Sequence, residues 1–233
     1  MPKKVSLVPF LLLLLSHSIA AETPGTEGGA VSKEEPPSSS AAGGFSISQW
    51  ATLPSGTELS PGIVTLDVNM DHRADLAAID IGRKKILVAR AETSGRFVVE
   101  AWAELPARGP WIGPFPARLV AGQKSGLLLI EQRHKRLWSA AKAEEGRFLL
   151  QAHSFLPKDI DASRYLVLDI DGDGRDDFLV ANKKTNELWC ASGGAFVFQR
   201  CGQVPAVADW EIVAGDVNGD GRDDILAWGK RDK

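Results

Sequence analysis

Two segments of this chain carry oxygen-bearing side chains at alternate positions of what must be a tight loop. One contains Asp169, Asp171, Asp173 and Asp177; the other contains Asp216, Asn218, Asp220 and Asp224. Counted from the first Asp, the oxygens fall at positions 1, 3, 5 and 9, with glycines at 4 and 6. Alternate residues of a tight loop turn inward together, and carboxylates crowded so closely repel one another unless a divalent cation lies among them. Calcium suits such a loop, since it takes roughly six to eight oxygens in adaptable geometry, whereas magnesium is stricter and zinc prefers nitrogen and sulfur. The glycine at position 6 permits the sharp turn. The backbone carbonyl at position 7, Arg175 or Arg222, is the natural further ligand. An EF-hand would need a bidentate Glu at position 12 and flanking helices, but position 12 is Val180 in one loop and Ala227 in the other, both inside apolar runs. Two calcium sites are expected.

A third copy, Asp67, Asn69, Asp71 and Asp75 with the Arg73 carbonyl, keeps every side-chain ligand and is a third candidate. It replaces both glycines, by Met70 and His72, so its backbone must hold side chains where glycine is preferred. A fourth loop, Gly122 to Gly126, has no acidic residue and is read as metal-free.

These loops belong to a longer repeat. LDVNMDHRADLAAI starts at Leu66, LDIDGDGRDDFLVA at Leu168 and GDVNGDGRDDILAW at Gly215, while GLLLIEQRHKRLWSA from Gly126 aligns with DFLVANKKTNELWCA from Asp177. Leu76, Leu127, Phe178 and Ile225 then fall 51, 51 and 47 residues apart. A second half repeats as well: FVVEAWAELP from Phe97, FLLQAHSFLP from Phe148, FVFQRCGQVP from Phe196 and FSISQWATLP from Phe45. Each unit reads as four short strands. Strand A ends in the acidic loop, strand B is the apolar run after it, strand C holds the LWxA-like segment, and strand D begins at the Phe. Short β-rich runs between turn residues, at a period of about 40 to 50 residues, describe propeller blades rather than helical solenoids. The predicted fold is all-β, a small β-propeller of about four blades with four antiparallel strands each. Three blades are full, and a composite fourth is assembled from strand D at Phe45 to Leu53 and strands A and B at Ile212 to Trp228. That composite blade has no evident strand C.

DIDGDGRDDFLVA and DVNGDGRDDILAW resemble the FG-GAP/VCBS repeats of integrin α-subunit propellers and of many exported bacterial proteins. The resemblance implies calcium in the A–B loops, a structural role for the metal, and binding rather than catalysis. Family propellers usually have seven blades, more than this chain encodes.

The remaining features set context. Lys3 and Lys4 precede an apolar run, Val5 to Leu15, and then small residues, which describes a secretory signal peptide over residues 1–20. The run is shorter than the roughly 18 residues a bilayer span needs, so no stable membrane anchor is expected. Residues 21–44 are rich in Pro, Gly and Ser and read as a disordered linker; residues 45–233 form the repeat domain. A net charge of −3 argues against nucleic acid as partner. In an exported protein the only two cysteines, Cys190 in strand C and Cys201 in strand D of one unit, are predicted to pair.

No catalytic constellation stands out, and the chain is read as a non-enzyme. The four histidines are scattered without metal spacing. Trp111 and Trp210, placed before strand A, are candidate contacts for a sugar or protein ligand. Arg83, Lys84, Arg133, Arg136, Lys183, Lys184 and Lys230 fall in B–C connections, which a propeller gathers on the face opposite the calcium loops. They are candidates for an anionic partner; ordinary solvated turns are the plainer reading. The expected function is a secreted calcium-binding module for carbohydrate or protein. The alternatives are a non-catalytic propeller from a polysaccharide-degrading enzyme, or a structural protein that self-assembles through an incomplete ring.

Overall fold

The computed structural model describes residues 11–17, 45–106, 109–123, 125–143, 146–192, 194–204 and 210–229. Every regular element among them is a β-strand. In chain order these are β1 (Leu11–His17), β2 (Phe45–Thr52), β3 (Leu59–Leu66), β4 (Asp75–Asp80), β5 (Lys85–Ala91), β6 (Phe97–Glu104), β7 (Trp111–Ala117) and β8 (Gly126–Glu131). They continue as β9 (Arg136–Lys142), β10 (Phe148–Phe155), β11 (Ala162–Leu168), β12 (Asp177–Asn182), β13 (Glu187–Ala191), β14 (Phe198–Gln203), β15 (Trp210–Gly215) and β16 (Asp224–Gly229). Three antiparallel sheets of four strands follow one another, β3 to β6, β7 to β10 and β11 to β14. Strands A, B, C and D of the repeat are the four strands of each sheet, in that order.

The second strand of each sheet shows why the sheets stack. β4, β8 and β12 are buried along their whole length, because successive side chains of a strand point to opposite faces and both faces are covered. Leu127 and Leu129 of β8 join Ala77, Ile79, Ile86 and Val88 of the first sheet in one core. Leu128 and Ile130 of the same strand join Phe178 and Val180 of the third sheet in another. Leu179 and Ala181 of β12 face the other way, onto Ile212, Ala214, Ile225 and Ala227. The core therefore lies between sheets. First strands adjoin at equivalent points: the Ser60 hydroxyl of β3 donates to the Trp111 carbonyl of β7 at 3.1 Å. Consequently the A–B loops gather at one end of the sheets and the B–C turns at the other.

The third and fourth strands share one irregularity. Their register shifts between Ile86 and Leu87 in the first sheet, leaving Trp102 as the extra residue, and between Leu188 and Trp189 in the third, leaving Cys201. The second sheet bulges between Ala152 and Phe155. A bulge residue has no direct partner and leans on a neighbour. Trp102 packs on Phe148 of the next sheet, ring centroids 5.2 Å apart. His153 hydrogen-bonds Ser139 at 2.8 Å and meets the Phe196 ring at 4.8 Å. Cys201 is bonded to Cys190, with Cα atoms 5.7 Å apart, inside the range a disulfide requires.

One expectation is corrected here. The composite fourth sheet is not closed: β15 and β16 form a two-stranded sheet, and β2 pairs with β1 instead. Among the described residues the strand from the N-terminal side and the pair from the C-terminal side belong to separate sheets, so the fourth sheet is not closed. β1 lies within the segment read as a signal peptide. The rest of that segment and the linker lie outside the described residues.

Candidate metal centre

The loop between β11 and β12 is built by its own amides. The Asp169 carboxylate accepts the Gly172 N–H at 2.8 Å and the Gly174 N–H at 2.9 Å, while Asp177 accepts the Ile170 N–H at 3.0 Å. Gly172 and Gly174 stand at φ +79° and +80°, where a side chain is disfavoured. The result brings ligand atoms of Asp169, Asp171 and Asp177 within 4.8 Å of one another. Asp169 and Asp177 are buried, Asp171 exposed. Among the described residues this is the set of acidic, His or Cys side chains able to share one ion. Asp173 is not part of it; its carboxylate accepts the Arg175 N–H at 2.8 Å. Two of the three converging carboxylates are buried, and a dication would supply the counter-charge that relieves their repulsion. The residues fit calcium, which Asp169, Asp171 and Asp177 would hold with the Arg175 carbonyl as a further oxygen.

The loop between β15 and β16 repeats this frame. Asp216 accepts the N–H groups of Gly219 at 2.7 Å and Gly221 at 3.0 Å, and those amides hold its carboxyl below the usual carboxylate range. Asp220 accepts from Arg222 N–H at 2.9 Å and Asp224 from Val217 N–H at 3.2 Å. Position 3 is Asn218 here, and its amide oxygen accepts the Asp220 N–H at 2.8 Å.

The model of the FG-GAP-like repeat matches residues 169–227. This FG-GAP-like segment begins at the first Asp of one loop and ends inside the strand that follows the other. No curated protein matches the chain.

Within the FG-GAP-like segment the two loops are also tied together, by residues the sequence reading passed over. Asp169 N–H donates to Asp223 Oδ2 at 2.7 Å, and Asp223 N–H returns a bond to the Asp169 carbonyl at 2.7 Å. One repeat earlier the same latch recurs: Arg118 N–H donates to Asp176 Oδ2 at 2.7 Å, and Asp176 N–H to the Arg118 carbonyl at 2.9 Å. Arg118 stands at position 1 of the loop that has no acidic residue. Its guanidinium lies 2.7 Å from Asp176 and 3.8 Å from Asp223, and the Asp176 hydrogen bond first of all raises its pKa further. The one available signal was the doubled acid, Asp176–Asp177 and Asp223–Asp224, against Ala74 and Ser125 at position 8 of the other copies.

The Asp67 loop keeps the same hydrogen-bonded frame with side chains at the glycine positions. Met70 and His72 stand at φ 62° and 64°, the conformation that glycine holds in the other two loops. Asp67 accepts the His72 N–H at 2.8 Å, and Asp75 accepts Val68 N–H at 3.0 Å and Ala91 N–H at 2.7 Å. Burial, and then the charges of Asp71 and Asp67, push the Asp75 carboxyl up despite those two amides. The Arg73 guanidinium pairs with Asp71, so this loop already contains a cation. A left-handed residue other than glycine costs about 1–2 kcal/mol, so His72→Gly should raise the melting temperature by roughly 2–4 °C or more. Thermal unfolding followed by circular dichroism measures this, and an unchanged or lower midpoint would show that the loop carries no strain.

The other candidate residues separate clearly. Trp111 is corrected from surface contact to core: it opens β7, is 4% exposed, and packs edge-on against Trp138 at 6.2 Å. Trp210 opens β15, but its side chain lies outside the described residues, as does Lys230. Arg83 bonds the Ser55 carbonyl and lies 3.3 Å from the Thr57 hydroxyl. Arg136 bonds the His153 carbonyl at 3.0 Å and covers the Trp138 and Phe155 rings. Both are therefore occupied within the fold. Lys84 is half-buried, while Arg133, Lys183 and Lys184 are exposed. Beneath these turns a repeated residue at the end of strand B, Asp80, Glu131 or Asn182, is buried and accepts turn amides.

Proposed function

We propose that this chain is a calcium-stabilised, non-enzymatic binding or scaffold module. Its sheets would be the blades of a small propeller, working outside the cytoplasm after removal of the leader, with carbohydrate or protein as partner. The observation that carries the reading is the convergence of Asp169, Asp171 and Asp177 inside the matched repeat. The propeller arrangement is supported by the equivalent placement of successive first strands and by cores that lie between sheets. The metal's part would be structural. It would neutralise carboxylates at the end of strand A and the start of strand B, fixing the hairpin that begins each blade. Exposed Arg133, Lys183 and Lys184 favour an anionic partner surface at the opposite end.

Calorimetric titration with calcium chloride after chelator treatment tests the metal reading. Binding is expected in the Asp169 and Asp216 loops, and Asp169→Ala and Asp216→Ala should each abolish one site. Heat of dilution alone in the parent protein would refute the calcium assignment. A second reading, self-assembly through exposed sheet surface, is favoured by the paired Val213 and Leu226, which are 42% and 43% exposed.

A further inference from the structure

We propose that Asp223 couples the two calcium loops, so that an ion in the Asp216 loop strengthens binding in the Asp169 loop. The inference rests on the calcium reading and goes beyond it, since two isolated loops would bind independently.

The two loops differ in their surroundings. The Asp169 loop is flanked on one side by Arg118 and Ala121 and on the other by Arg222 and Asp223. A Cβ on Gly172 would come within 3.0 Å of the Arg222 side chain and 3.4 Å of the Gly221 carbonyl. The Asp216 loop is exposed from residue 216 through residue 222, so its order depends more on what its own carboxylates bind. Asp223 joins the two. It precedes Asp224, the position 9 ligand of its own loop, and it holds both the N–H and the carbonyl of Asp169, the first ligand of the neighbouring loop.

An ion drawing in Asp216, Asn218 and Asp224 would fix the backbone that carries Asp223. That fixed backbone would hold Asp169 where its carboxylate meets Asp171 and Asp177. By linkage the effect is reciprocal, so an ion at Asp169 strengthens binding at Asp216 by the same factor. Asp223 is thus a positioning residue, acting on the metal through Asp169. Arg118 extends the chain of contacts: in the loop without acidic ligands, a guanidinium contacts the Asp176 and Asp223 carboxylates.

The test is calorimetric titration of the full chain with calcium chloride, in an Asp67→Ala background that removes the strained loop from the isotherm. Asp169→Ala and Asp216→Ala give the affinity of each remaining loop alone. With coupling, the product of the two stepwise association constants of the two-loop protein exceeds the product of these single-loop constants by at least about fivefold. Asp223→Ala abolishes the excess. Asp223→Asn, whose amide oxygen still accepts the Asp169 N–H, retains it. Equal products in the two-loop protein overturn the coupling without recourse to any Asp223 variant. An excess that survives Asp223→Ala overturns the role of this residue, even where both variants melt at lower temperature. No calcium binding to either loop overturns the metal reading itself and the coupling with it.

Discussion

Stripping calcium from the folded protein should lower its melting temperature by roughly 10–20 °C. Each ion that binds only the folded chain contributes about 2.7 kcal/mol at a concentration one hundred times its dissociation constant. Two such sites give about 5 kcal/mol, and in a protein of this size each kcal/mol moves the midpoint by roughly 2–4 °C. The local geometry makes the effect specific. Asp169 and Asp177 are buried with a third carboxylate beside them, so without the ion their mutual repulsion persists in a poorly solvated place. The measurement is differential scanning calorimetry in chelator and in millimolar calcium. Coincident transitions would show that the loops are held by their amides alone.

The second large effect belongs to the core. Phe178 is fully buried and touches three aromatic rings, with centroids 5.5 Å away at Phe115, 6.0 Å at Tyr165 and 6.4 Å at Phe198. Phe115 comes from the second sheet, so this ring is where the second and third sheets interlock. Phe178→Ala should cost about 3–5 kcal/mol, a fall of roughly 6–20 °C in the midpoint. Urea denaturation of the calcium-loaded variant, compared with the parent, reads the loss. A change below about 1 kcal/mol would mean that the two sheets are held together elsewhere.

The two effects also show what could be read in advance. Strand order, the hairpin loops and the Cys190–Cys201 pairing are local consequences of a period that returns Leu76, Leu127 and Phe178 to equivalent points. The latch was hidden because position 8 looks like one more acid in an acidic run, although it reaches into the preceding loop. Trp111 belongs to the core because strand A of its sheet begins at this residue rather than after it. Its indole is buried between strands whose proximity no short pattern records. The failure of the composite sheet is of the same kind. Pairing β2 with β16 is a contact between distant parts of the chain, and alternation of apolar residues says which face a strand buries but not which neighbour it finds.

Because β8 and β12 each contribute alternate residues to two separate cores, neither of their sheets owns its own interior. The molecule behaves as a row of units, each held chiefly by its neighbours, and stability in such a row is a sum of nearest-neighbour terms. The last pair of strands, with Val213 and Leu226 bared on one side, is held to the row by the core it shares with the third sheet and by the latch to Asp169. Loosening this pair would therefore bare Leu179 and Ala181 of the third sheet and free Asp169 from its latch. The second sheet, whose Leu128 and Leu129 face opposite neighbours, would keep its contacts on both sides.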